Sequence, residues 1–296
     1  MTASALTRPG ERDRISTKIS EIDWRFVALL CAVAGAGTAM LYSVAGGSWE
    51  PWAIKHIIRF ALCLALMLGL SMIDPRYWFR AAWPVYAVGL ILLVAVEAVG
   101  DVRLGAQRWL SVGPFSFQPS EIMKIGVVLA LARWYHGASA QDARFSWKLI
   151  FPVMIIGAPF LLVAHQPDLG TAMLIGLTGA AMMFMAGLDW KVIAAAAVAA
   201  VVGGVPYIMF GMHDYQRNRI LTFLNPEGDP SGNGYHIVQS KIALGSGGLL
   251  GKGFGLGSQS QLEFLPEKQT DFIFAAVSEE FGFVGSITLL LCYAGI

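Results

Sequence analysis

Runs of about twenty residues with almost no charge recur down this chain, and that recurrence constrains the fold more than any single motif. They fall near 24–45, 52–73, 81–99, 120–136, 147–165, 168–188, 190–212 and 271–296. About twenty residues at 1.5 Å rise each span the roughly 30 Å hydrocarbon core of a bilayer. In hydrocarbon every backbone N–H and C=O must bond within the chain, so the local solution for such a run is a helix. Only 14% of the 296 residues are charged while 56% are hydrophobic; an average soluble domain carries roughly 25% charge. A soluble protein of this composition lacks the charge to cover its surface. The expected fold class is therefore all-α, a multi-pass transmembrane helical bundle with about eight spans.

Residues 1–22 form a basic tail containing Arg8, Arg12, Arg14 and Lys18, and residues 23–296 form the transmembrane domain. The first apolar run is too long for a signal-peptide core and has no clear small-residue cleavage site, so it stays as an anchor. Orientation follows from Lys and Arg in the short connections. With the N-terminus in the cytoplasm, the inner connections hold Arg76, Arg80, Arg133, Arg144, Lys148 and Lys191. The outer connection 46–51 has no Lys or Arg, and 100–119 has only Arg103 and Arg108. The N-in arrangement is expected. Ile296 closes an apolar run without a polar flank, which reads as a piece of a longer protein.

The longest connection, the outer loop 213–270, is rich in turn formers. Its glycine-rich stretch GSGGLLGKGFGLG (245–257) is not a Walker A loop, because Gly253 follows Lys252 where Ser or Thr is needed and Ser246 replaces the first Gly. The glycines instead suit close backbone packing near the membrane surface. A net charge of +1 gives no global signal for nucleic acid. Cys31, Cys63 and Cys292 all lie in apolar runs without CxxC spacing, so neither a disulfide framework nor a metal site is suggested.

The residues able to do chemistry cluster around the outer connections. Asp271 stands where loop 213–270 gives way to the last apolar run, with Thr270 expected as N-cap; an acid there also complements the helix dipole. Glu279 and Glu280 follow. At 1.5 Å per residue Glu280 lies roughly 13 Å deeper than Asp271. An unpaired charge at that depth costs about 3 kcal/mol, so a partner, a proton or a wet cavity is required. Glu121 and Lys124 share a face at i,i+3 and can neutralise one another. Arg108 and Trp109 sit near the outer interface, where Trp is commonly an anchor. Arg217 and Arg219 are either headgroup anchors or a fork for an anionic phosphate. His165 and Asp168 share a tight outer turn, where a structural role is the simpler reading.

The strings GAQRWL, FQPSEIMK, QPDLGTA, HDYQRNR, GYHIVQSKIALGSGGL, QSQLEFLPEKQTDFIFA and EEFG run in this order between about residues 105 and 285. Together they resemble the SEDS family (shape, elongation, division and sporulation), closest to its rod-shape branch. The resemblance implies a ten-span protein of the bacterial cytoplasmic (inner) membrane that polymerises glycan strands from lipid II during cell elongation, with a class B penicillin-binding protein as partner. It implies Asp271 as the essential carboxylate and Trp109 as a position important to the family. Glu121, Lys124, Arg217 and Arg219 match polar positions lining the same outer cavity, and Asp168 and Glu280 are supporting residues. On this reading two spans are absent, and the 296-residue chain is expected to insert but to be inactive by itself.

The implied reaction is attack of a sugar 4-hydroxyl on an anomeric carbon while a lipid pyrophosphate leaves. It needs a general base and positive charge at the leaving group. Asp271 suits the first role; Arg217, Arg219, Lys124 or a divalent cation such as Mg2+ or Mn2+ suits the second. Two other readings use the same residues differently. A lipid II flippase needs a charged path across the bilayer, to which Glu279 and Glu280 can contribute. A non-enzymatic scaffold of the elongation machinery needs none of these charges.

Overall fold

The structure, a computed structural model, describes residues 15–103, 106–112, 115–144, 146–206, 235–262, 264 and 267–296. Eight apolar helices lie where the eight apolar runs predict them. They are α2 (Trp24–Val44), α3 (Ala53–Ser71), α4 (Pro75–Val99), α5 (Pro119–Gly137), α7 (Ile150–His165), α8 (Leu169–Met185), α9 (Trp190–Pro206) and α12 (Ile273–Gly295). Short helices α1 (Ile15–Ser20), α6 (Ala140–Arg144), α10 (Tyr235–Ser246) and α11 (Ser258–Gln261) fill the connections.

Five of these helices, α2, α3, α4, the 147–165 segment containing α7, and α12, are long and apolar enough to cross a membrane. Helices α8 and α9 are 17 residues each, and α5 carries Glu121, Lys124 and Arg133 within its 19 residues. Large apolar side chains face outward: Leu62, Ile91 and Leu161 are 67%, 67% and 68% exposed. Such surface is stable only against hydrocarbon or a partner.

Helix starts are written into the sequence. The Asp23 carboxylate accepts from the Arg25 and Phe26 amides at the head of α2. Asp74 accepts from the Arg76 amide, and Pro75, which has no N–H to satisfy, opens α4. Pro119 opens α5 in the same way.

The chain divides into two compact units, Met1–Met72 with Ile208–Ile296, and Ile73–Tyr207. In the second unit α4, α5, α7 and α8 close a core around Leu93, Met123, Val127, Leu131, Val163 and Ile175. In the first, Met40 and Val44 of α2 pack on Ala276 and Val277 of α12, and Ala243 of α10 packs on Ala275. Lys18 of the basic tail donates to the Met72 carbonyl at 2.9 Å, tying α1 to the end of α3.

Two connections are more ordered than their sequence suggests. Between α4 and α5 lies a three-stranded antiparallel sheet, β1 (Asp101–Arg103), β2 (Ala106–Val112) and β3 (Phe115–Phe117), in the order β1-β2-β3. It is the one exception to the all-α expectation among the described residues. The signal was present: RWLSV and FSF flank a Gly-Pro turn pair, a hairpin signature. Of the long loop 213–270, residues 213–234 lie outside the described residues, and the remainder contains α10, α11 and the glycine-rich segment between them.

Candidate active site

In the first unit, α12 carries both intramembrane acids. Glu279 and Glu280 are 0% exposed, and neither is bare. Glu279 Oε1 accepts from Lys252 Nζ at 2.6 Å, Ser258 Oγ at 2.9 Å and the Gln259 amide at 3.0 Å. Glu280 accepts from Ser43 Oγ of α2 at 2.5 Å and from the Gly255 amide at 3.1 Å. Consecutive helical residues point about 100° apart, which is why two adjacent acids meet different donors. The requirement for compensation holds, and it is met by a cation and by backbone amides from the glycine-rich segment.

That segment does more than approach α12. Gly282 leaves helical geometry (φ 65°, ψ −162°) and opens the hydrogen-bond ladder. The Glu279 and Glu280 carbonyls, which in an unbroken helix would accept from residues 283 and 284, instead accept from the Lys252 and Gly253 amides at 2.9 and 3.0 Å. The freed Phe283 and Val284 amides donate to the Gly248 and Leu249 carbonyls at 2.9 and 3.1 Å. Residues 248–253 are thus spliced into the helix, and the four backbone groups freed at residues 279, 280, 283 and 284 each find a partner there. Gly251 and Gly282 make this possible: both have positive φ, 82° and 65°, and a Cβ on either would overlap the other segment's backbone.

Asp271 lies two residues before α12 and is exposed. Its turn is closed by the Thr270 amide to the Glu267 carbonyl at 3.0 Å. Thr270 is not the N-cap, contrary to expectation: the helix begins two residues later than the sequence suggests, and the Thr270 hydroxyl donates to the Glu267 carbonyl at 3.3 Å within the preceding turn. Phe272 occupies the N-cap without a side-chain bond. Among the described residues the Asp271 carboxylate has no hydrogen-bond partner. Lys268, from the same turn, and Gln261 join Glu50 and Trp52 around a small polar cavity of about 280 Å³. An apolar cavity of about 430 Å³ lies between α2 and α12, lined by Met40, Phe274, Val277, Phe281 and Leu289 among others.

In the second unit Asp168 is a hub. It caps α8 through the Thr171 amide at 3.3 Å, accepts from Thr171 Oγ1 at 3.0 Å and Gln118 Nε2 at 3.1 Å, and lies 4.0 Å from Arg108 Nε. Arg108 also donates to the Gln166 and Pro167 carbonyls. His165 Nδ1 is 2.9 Å from Glu97. Trp109 is half-buried on β2, in register with Asp101. Glu121 and Lys124 pair at 2.9 Å with 59% and 31% of their side chains exposed, the self-neutralising arrangement their spacing suggests. Arg108, Gln118 and Asp168 are therefore brought together, while Glu121 and Lys124 bond each other. Asp271 and Glu280 belong to the first unit, and Arg217 and Arg219 lie outside the described residues.

Sequence reasoning missed Lys252, Ser258, Gln259 and Ser43 as partners of the buried acids, and Gln118 as a partner of Asp168. Only one signal pointed at Lys252: two acids in an apolar helix demand donors, and this lysine lies in a glycine-rich segment able to approach closely.

Residues 24–296, nearly the whole chain, match the cell cycle protein family FtsW/RodA/SpoVE. The chain belongs to the FtsW/RodA/SpoVE family. This is the family to which the motif strings pointed. Its relatives include the peptidoglycan glycosyltransferase MrdB of Escherichia coli, 45% identical over 280 residues that cover 92% of this chain and 73% of MrdB. The stage V sporulation protein E of Bacillus subtilis is 33% identical, with 95% and 78% covered. A solved structure concerned with the coordination of polymerization and crosslinking by a peptidoglycan synthase complex matches with a TM-score of 0.75 at 30% identity, covering 93% of this chain and 75% of that one. The rod shape determining protein RodA of Thermus thermophilus matches with a TM-score of 0.62 at 26% identity, with 93% and 72% covered. Like the other FtsW/RodA/SpoVE proteins it resembles, this chain is a multi-pass helical membrane protein.

Proposed function

We infer that this chain is a peptidoglycan glycosyltransferase that joins lipid II units into glycan at the outer face of the cytoplasmic membrane, with its N-terminus inside. The observation that carries the mechanism is the contrast along α12: Asp271 is exposed and unbonded among the described residues, while the acids beneath it are saturated. Asp271 takes the proton from the attacking sugar 4-hydroxyl as the glycosidic bond forms, and the anomeric carbon releases the lipid pyrophosphate. Arg217, Arg219 and Lys124 are the proposed cations for that leaving group, Trp109 and Glu121 the proposed substrate contacts, and Asp168 holds its turn. The apolar cavity between α2 and α12 suits part of a prenyl chain.

A divalent cation such as Mg2+ or Mn2+ fits this reading only as a companion of the pyrophosphate. Such ions keep most of their water and take one or two carboxylates plus phosphate oxygens. Among the described residues no three His, Cys, Asp or Glu side chains surround a common centre, so they build no closed cage. The partner we propose is a class B penicillin-binding protein, in keeping with the synthase complex that this fold matches.

Flipping is disfavoured by the same geometry. A charged path across the bilayer needs groups available to a passing headgroup, and Glu279 and Glu280 are fully enclosed by their own donors. The test is glycan polymerisation from lipid II by the full-length protein with its partner, comparing wild type with Asp271→Asn. The amide keeps the shape but accepts no proton, so polymerisation is expected to fall at least 10²-fold, the lower range for a general base, with membrane insertion unchanged. Wild-type synthesis by Asp271→Asn would remove Asp271 as base. Loss of lipid II translocation with polymerisation intact would replace the enzyme by a flippase.

A further inference from the structure

The excursion from Lys252 to Glu279 includes α11 and the turn at residues 267–272 before it enters α12. Both ends of this excursion are fastened at one place. At its base the Lys252 ammonium meets Glu279 at 2.6 Å, the Lys252 and Gly253 amides bond the Glu279 and Glu280 carbonyls, and the Gly255 amide bonds the Glu280 carboxylate. Ser258 Oγ and the Gln259 amide bond Glu279 again further along. Lys252 Nζ also donates to Ser258 Oγ at 2.8 Å, closing a triangle of lysine, serine and glutamate. Asp271 stands in the turn of the fastened loop, eight residues before Glu279 in the sequence.

We propose that Lys252 is a positioning residue for glycosyl transfer: its clasp with Glu279 and Ser258 fixes the base of the 252–279 loop and thereby the direction of the Asp271 carboxylate. The physical basis is the geometry of a closed loop. Joining the ends of a flexible segment lowers its conformational entropy, and the restriction extends to the segment's turn as well as its base. An exposed carboxylate with no partner among the described residues has no local bond to aim it, so its aim depends on the backbone that carries it. Misplacing a reacting group by about 1 Å can cost on the order of 10²-fold in rate. Neutralising Glu279 does not need this arrangement; a lysine on a neighbouring helix would serve. What the lysine in this segment adds is a second fastening of the loop.

This proposal rests on the polymerase reading, and its test separates the two. Lys252→Met strands a buried carboxylate and can fail through folding alone. The deciding variant is therefore Lys252→Met combined with Glu279→Gln, which removes both charges and leaves an amide oxygen to accept from Ser258 and the Gln259 amide. In the full-length protein with its partner, the double variant is expected to unfold near the wild-type temperature. Its kcat for glycan polymerisation should fall about 10- to 100-fold, with KM for lipid II within about twofold. Hydrogen exchange of residues 260–272 should become faster, a readout independent of activity. Wild-type kcat in the stable double variant would overturn the proposal and leave the pair as charge neutralisation only. Unchanged exchange at 260–272 would do the same even if activity fell. Absence of polymerisation by the wild type would instead overturn the underlying enzyme reading.

Discussion

Among the described residues two glutamate–lysine pairs place their acid on an apolar helix, and they are alike in little beyond their chemistry. Glu121 and Lys124 lie three residues apart on α5, meet at 2.9 Å and remain 59% and 31% exposed. Glu279 and Lys252 lie on different elements and meet at 2.6 Å, with Glu279 0% and Lys252 31% exposed. The first pair is local and half open, so each partner keeps an alternative when the other is lost. The second is surrounded by further donors and sealed by the glycine splice, so loss of Lys252 strands a buried carboxylate, and loss of Glu279 leaves the Gln259 amide and the Ser258 hydroxyl without their acceptor. Separation between charges does not tell these pairs apart; enclosure and the number of remaining donors do.

The largest expected effect comes from Glu279→Ala. Breaking an enclosed pair costs about 3–5 kcal/mol, so the thermal unfolding temperature in detergent should drop steeply and little folded protein should remain. A Glu279→Ala protein as stable as wild type would erase the distinction between the pairs.

Next is Gly251→Ala. Here the side chain must enter left-handed backbone and overlap the Glu280 carbonyl; strain of this kind costs about 1–3 kcal/mol. The loss should appear as a lower unfolding temperature together with faster exchange of the Phe283 and Val284 amides, whose acceptors are Gly248 and Leu249. Loss of stability without faster exchange at those two amides would place the damage outside the splice.

Glu121→Gln should cost less than about 1 kcal/mol, the usual range for an exposed pair. Unfolding measured beside Glu279→Ala gives the contrast directly. If Glu121→Gln reduces polymerisation while stability holds, the residue touches substrate and the self-neutralising account of the pair is incomplete.

The smallest effect concerns a third pair, Asp142 and Lys148, which meet at 3.0 Å in the connection between α5 and α7. Hydrogen bonds from Lys148 and then Ser139 hold the Asp142 carboxyl below its ordinary value of 3.8. A depressed folded value means the contribution is complete above the unfolded value and is lost as pH falls through the folded one. No change in stability from Asp142 is therefore expected between pH 6 and 8. In Lys148→Met the carboxyl titration of Asp142, followed by NMR, should move up toward 3.8; an unmoved midpoint would show that Lys148 does not set it.

Local features were the legible ones. The helix positions, the Asp23 and Asp74 caps, the proline starts and the Glu121–Lys124 pair all follow from spacing within a few residues. The sheet at 101–117 was legible in the Gly-Pro pair of the sequence between RWLSV and FSF but hidden by the expectation of a short outer connection. Asp168 was rightly placed in a tight turn; its bonds to Gln118 and Arg108 were not visible, because those residues are 50 and 60 positions away in sequence.

What the sequence by itself determined is the class of molecule and its order of helices, because hydrocarbon forces each long uncharged run into a helix regardless of its neighbours. It also determined that Glu279 and Glu280 needed compensation, since an unpaired charge deep in an apolar helix is costly whatever surrounds that helix. Which atoms supply that compensation was decided by the tertiary structure alone. Lys252 reaches Glu279 only because residues 248–253 enter the opened ladder of α12, and that entry depends on two backbones, at Gly251 and Gly282, approaching more closely than any side chain would allow.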